Sequence, residues 1–252
     1  MTATTSNPAR TDRLDRIDPT DRTGRGSLPR PGAAGPPLPR AWALTGVAAG
    51  IAGAGAVVAS SLVAAVYDPA LAGDPERIAE AVGDRAPVIV AFHVLGVLGA
   101  VATIVFAAGL HRRLLARPGA GLAPAVAAAG LLGTAVVSVL GTGLDTEFLF
   151  ASQAGDAAAD PHAVVFYNHW IGTGPWCWVL AGLAGVAVWR AARAGVVPTW
   201  IGRVGLVLGG LTLLLGISPL QYMAGMTGPV WLLVTAAGFA VGDRAHRHGA
   251  DA

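Results

Sequence analysis

The chain has 252 residues, of which 54% belong to the apolar set AVILMFWYC, 35 are Gly and only 13% are charged, for a formal net charge of +2. Soluble globular chains carry about 25% charged residues, so a water-soluble domain would lack polar surface, and a single cysteine excludes an internal disulfide framework. Every basic residue is Arg and none is Lys, which points to a GC-rich bacterial genome, and the composition as a whole reads as an integral membrane protein.

Residues 1–40 hold the low-complexity character. Seven Arg alternate with four Asp, and a run of SLPRPGAAGPPLPR follows. With no apolar periodicity, nothing offsets the entropy of ordering, and the segment reads as a disordered cytoplasmic tail. It has no interleaved aromatics and its Arg are partly balanced by Asp, so anionic lipid rather than nucleic acid is its expected contact. The first apolar run, Ala41–Val66, is free of charges and exceeds the roughly 7–15 residues of a signal-peptide core, so it is expected to be retained as a span.

A span needs about 20 apolar residues. Six segments qualify: Ala41–Val66, Pro87–Leu110, Leu122–Leu144, Val164–Trp189, Thr199–Ile217 and Met226–Val241. The predicted fold is all-α, a six-transmembrane-helix bundle over residues 41–243, preceded by the tail and followed by a short cytoplasmic segment, 244–252. With the N-terminus inside, the inner pieces carry 15 of the 17 Arg, and the outer loops hold only Arg77 and Arg85. That bias satisfies the positive-inside rule and places both termini in the cytoplasm of a bacterial plasma (inner) membrane. Trp42, Trp189 and Trp200 fall at the expected inner interface. In the first outer loop, Asp74 as N-cap, Pro75 at the first position and Gly83 just past the end predict a short helix over 75–82, with Ile78 and Val82 on one face.

Small residues recur at helical spacing. The first span has Gly46, Gly50 and Gly53. The second has His93, Gly96, Ala100, Thr103 and Ala107. The third has Ala127, Gly130, Thr134, Ser138, Gly141 and Asp145. Steps of three and four keep residues on one helix face, and small faces let helices approach closely in lipid. Two of these seams end in an ionisable residue, so His93 and Asp145 are expected to face the bundle interior. A weak repeat links His93-Val94-Leu95-Gly96 to His169-Trp170-Ile171-Gly172, each followed later by a Gly-x-x-Pro step, Gly121 to Pro124 and Gly195 to Pro198.

Ionisable residues within a membrane bundle are costly and are functional candidates. At 1.5 Å per residue, His93 lies about 9 Å in from the outer end of its span, and His169 lies at a similar depth. Asp145 and Glu147 close the third span at that end, and Asn168 and Tyr167 accompany His169. His93, Asp145, Glu147, Asn168 and His169 form the expected outward-facing polar pocket. Gly172, Gly174 and Pro175 interrupt the fourth span, where proline removes a backbone hydrogen bond and breaks or kinks the helix. Such broken helices line sites in transporters. No P-loop, H-E-x-x-H, G-x-S-x-G, C-x-x-C or dinucleotide fingerprint occurs, so no catalytic residue, metal site or cofactor is assigned.

The stretch Val197-Pro198-Thr199-Trp200-Ile201-Gly202-Arg203-Val204-Gly205 resembles a segment of six-span bacterial membrane proteins grouped under a domain of unknown function common in actinobacteria. The resemblance implies a helical bundle in the plasma membrane and brings no activity or site residues with it. The leading expectation is a non-enzymatic multi-pass protein, in contact with the lipid bilayer, that binds or moves a small solute or proton through the polar pocket. Two alternatives stand beside it. One is a b-type haem redox protein with His93 and His169 as axial ligands. The other is a structural or regulatory subunit with a membrane-protein partner.

Overall fold

The structure, a computed structural model, describes residues 41–153 and 160–242. The two expected tails, 1–40 and 244–252, lie outside the described residues. The described chain is helical, with no strand among the described residues, and six of its helical segments are long and apolar enough to cross a membrane: Ala41–Leu62, Ala86–Leu115, Ala123–Ala151, Pro161–Arg193, Thr199–Ile217 and Gln221–Val241.

The elements run α1 (Ala41–Leu62), two single 3-10 turns at Ala65–Tyr67 and Pro69–Leu71, α2 (Pro75–Gly83), α3 (Ala86–Leu115), α4 (Ala123–Gly141) and α5 (Asp145–Gln153). After these come α6 (Pro161–Ile171), a 3-10 segment Gly174–Trp178, and α7 (Val179–Arg193). The fifth span is α8 (Thr199–Val204), a π turn Gly205–Gly209 and α9 (Gly210–Ile217). The sixth is a 3-10 turn Gln221–Met223, α10 (Ala224–Ala237) and a π turn Gly238–Gly242. Consecutive spans are neighbours: α1 packs on α3, α3 on α4, α4 on α7, α7 on α8 and α9, α9 on α10, and α10 closes on α1.

Small residues set these contacts. Gly46, Gly50 and Gly53 are all buried, and they face Phe106 and Ala236, the backbone of Leu233, and the Trp178 ring. On α4, Gly130 meets the carbonyl of Leu180 and Ala184 of α7. Tighter still, Gly182 and Gly185 of α7 lie against Gly205 and Gly209 of the π turn, where an added methyl would strike backbone on both sides. This glycine-on-glycine contact crosses two spans and appears in neither one's sequence alone.

Two local expectations are revised. Trp42, at the start of its span, is buried in the bundle, with Phe106 and Phe239 each 5.5 Å away ring to ring, because Gly109 opposite it leaves room for the indole. The short helix does start at Asp74, whose carboxylate accepts from Arg77 N at 3.1 Å, and Ile78 and Val82 are buried. Gly83, however, is its last residue and not a left-handed terminator; the left-handed glycine is Gly73, before the helix. Finally, only half of the repeat has a common role. Gly121 and Gly195 both take positive φ, 55° and 73°, turning the chain into the next span, a conformation glycine adopts without steric cost. His93 instead sits within a continuous helix, while His169 stands two residues before one ends.

Candidate functional site

At the bundle end that carries α2, α5 and α6, three helices bring polar side chains together. The seam on α3 places His93 one turn beyond Gly96, which packs on the Thr142 methyl. The chain leaves α4 at Gly141, turns through Thr142–Leu144, and restarts at Asp145 in the first turn of α5, where the helix dipole favours a carboxylate. On α6, Val164, Tyr167 and Ile171 form the buried face. Tyr167 carries its hydroxyl to Asp145 and donates to Oδ1 at 3.0 Å, while its ring stacks on Phe148 with centroids 4.4 Å apart. The other carboxylate oxygen, Oδ2, is 3.3 Å from His93 Nδ1, within ion-pair distance, and neither of these two atoms makes a hydrogen bond of good geometry among the described residues.

Asp145 is 1% exposed and the His93 side chain 34%, so the imidazole stands between a buried carboxylate and the surroundings. A lone carboxylate in such a place is costly. The pair can exist as carboxylate and imidazolium, or as two neutral groups after a proton moves, and Tyr167 donates to the carboxylate in the first state. The arrangement can hold and pass a proton.

The remaining expected residues are placed differently. Asn168 is fully buried and uses both halves of its amide: Nδ2 donates to Val63 O at 2.6 Å and Oδ1 accepts from Val66 N at 3.1 Å. It ties α6 to the segment that follows α1, donating one amide hydrogen and accepting one bond there. Two residues along a helix is about 200° of rotation, so His169 points away from the direction of Tyr167, and Glu147 from that of Asp145. Both are exposed. The His169 ring is edge-on to Tyr67 at 5.7 Å, in an environment different from that of His93. Partial burial, and then the adjacent Tyr222 hydroxyl, hold the Tyr67 phenol above its ordinary pKa.

The break in the fourth span is present, between α6 and α7, and its consequence is specific. Pro175 has no N–H for the carbonyl four residues back, that of Ile171. Ser60 of α1 supplies the missing donor, Oγ to Ile171 O at 2.8 Å, as lipid-embedded backbone requires. Trp170 Nε1 likewise donates to Gly141 O at 3.0 Å, at the end of α4. Pro175 itself packs on Gly225.

Below the His93–Asp145 pair lies a cavity of about 30 Å³ between α1, α3, α4 and the 3-10 segment. Gly96, Ala100, Thr103, Thr134, Ser138 and Gly141, all members of the two seams read from the sequence, are among its lining residues, with Gly174 and Cys177 from the break. Tyr167, read from the sequence as a companion of His169, instead serves Asp145, since it falls on the 164–167–171 face of its helix. Ser60 was not among the expected site residues, although a proline within a span implies that some group must serve the carbonyl four residues earlier.

Among the described residues no group of three or more His, Cys, Asp or Glu is arranged to hold a metal ion. No family model, no curated protein and no solved structure matches the chain. Fold and composition together define a multi-pass membrane protein.

Proposed function

We propose that this protein binds a proton, or a small solute that carries one, at the His93–Asp145–Tyr167 cluster, on the outward face of a bacterial plasma membrane. The observation that supports this reading most directly is a carboxylate 1% exposed in an apolar bundle, facing an imidazole 3.3 Å away that is itself one-third exposed. A buried ion pair gains little stability over apolar packing, so a chain that keeps one here has a use for it. Orientation follows from charge: Arg112, Arg113, Arg117, Arg190, Arg193 and Arg203 belong to the opposite end of the bundle, the cytoplasmic end by the positive-inside rule.

The test is proton uptake. Purified protein in lipid nanodiscs, taken through a small pH step with an indicator dye, is expected to take up protons that His93→Gln and Asp145→Asn both fail to take up, with helicity unchanged. Equal uptake by all three proteins, or variants that lose only stability, would make the cluster a packing element. A reporter fused in the 116–122 loop that reads as external would reverse the orientation.

A further inference from the structure

A second and larger cavity, of about 380 Å³, opens at the same end of the bundle, between the end of α1, the turns that follow it and the join of α2 to α3. Its size falls within the roughly 300–1,000 Å³ of small-molecule sites. Leu62, Leu71 and Val82 supply apolar wall, and Asp68, Asp84 and Arg85 supply charge. Chain order brings these charges together. Asp68 joins the two 3-10 turns, and Asp84 and Arg85 are the two residues between α2 and α3. Asp68 Oδ1 accepts from Ala70 N at 2.9 Å, which fixes that carboxylate by one oxygen. The Asp84 carboxylate and the Arg85 guanidinium make no hydrogen bond or ion pair with any described residue. Opposite charges adjacent in sequence are thus left unpaired with each other, both on the wall of one cavity.

The cavity also lies where a span meets the bilayer surface. Leu62 is the last residue of α1 and 53% exposed, so the wall it forms continues onto the lipid-facing side of the bundle. We infer that this cavity holds the headgroup of a zwitterionic phospholipid with a primary amine, of the phosphatidylethanolamine type. The ammonium is received by Asp68 and Asp84, the phosphate by Arg85, and the acyl chains run down past Leu62. Guanidinium and phosphate form short charge-assisted hydrogen bonds, and a primary ammonium has three hydrogens to give to carboxylates. A trimethylammonium headgroup has the same charges and no N–H. A glycerol headgroup has the phosphate and no cation, and meets two carboxylates against one guanidinium. The assignment goes beyond the proton-binding reading and does not depend on it, because His93, Asp145 and Tyr167 do not line the cavity.

The test is lipid selectivity of the full chain. Protein is reconstituted in bilayers of equal parts phosphatidylethanolamine, phosphatidylglycerol and phosphatidylcholine with the same acyl chains, released in mild detergent, and the lipids that stay bound are counted by native mass spectrometry. The wild type is expected to keep the ethanolamine lipid about fivefold over either other lipid, the worth of one charge at a membrane surface. Asp84→Asn and Arg85→Gln, both at exposed positions, should each return the bound lipids to the bulk proportions, with circular dichroism unchanged. Glu80→Gln, on the exposed side of α2 and outside the cavity lining, should leave the enrichment intact. Bulk proportions in the wild type overturn the assignment, as does choline lipid kept as well as ethanolamine lipid. So does enrichment that survives Asp84→Asn or Arg85→Gln, and so does equal loss in Glu80→Gln, which would make it an effect of general surface charge. Proton uptake measured on Asp84→Asn keeps the two proposals apart: uptake retained with lipid selectivity lost assigns the two functions to two sites.

Discussion

Two small-residue contacts in this bundle share a sequence style and differ in outcome. Between α7 and the π turn, Gly182 and Gly185 meet Gly205 and Gly209 so closely that no side-chain atom fits. Between α3 and α4, a seam of equally small residues leaves a cavity and ends in an ion pair. Glycine on both faces lets backbones meet. Hydroxyls on the facing helices, with a broken third helix beside them, hold the walls apart and leave a small cavity. Small residues in a membrane helix permit close approach, and here glycine facing glycine closes a seam that small residues facing hydroxyls leave open.

The comparison breaks first at its tightest point. Gly185→Ala pushes a methyl toward Gly209 Cα and Gly205 O, backbone that has no flexible side chain to yield, and is expected to cost about 3 kcal/mol, read as a lowered thermal midpoint and yield in detergent. Gly141→Ala, on the open seam, is expected to cost nothing measurable by the same assay. Asn168→Ala comes next. It strands Val63 O and Val66 N in the bundle, and about 2 kcal/mol of stability should go with them, while proton uptake at Asp145 persists.

Ser60→Ala has a smaller expected effect, about 1 kcal/mol, but a more diagnostic one. Replacing Pro175 by Ala restores an N–H within reach of Ile171 O, so the Ser60→Ala penalty should shrink in the Pro175→Ala background. Additive effects in that double-mutant cycle would show that Ser60 does not serve the carbonyl freed by proline. The effect confined to high pH concerns Tyr67. A phenol with a pKa raised by folding contributes stability that is full below its ordinary value of 10.0 and is lost as pH rises through the folded value. The wild type should therefore lose stability above pH 10 relative to Tyr67→Phe, and the two should run parallel below it.

Much of the site was legible one helix at a time. The three-and-four spacing placed His93 and Asp145 on buried seams, and the lining of the cavity comes largely from those same seams. A shared level was not a shared direction. His169 and Glu147 lie at the level of the cluster, yet helical spacing turns each about 200° from a neighbour that points inward, and both are exposed. Asn168 is buried, but its partners are backbone groups of Val63 and Val66, in the segment that follows α1 more than a hundred residues earlier.

The number of spans, their order and the Arg-rich end follow from the sequence alone, because lipid demands long apolar helices whatever they pack against. Which hydroxyl serves a proline-freed carbonyl, which tyrosine meets the buried carboxylate, and whether a glycine seam shuts or leaves a cavity were decided only by tertiary structure. Those outcomes depend on pairs of faces from different helices, and no single helix contains both members of a pair.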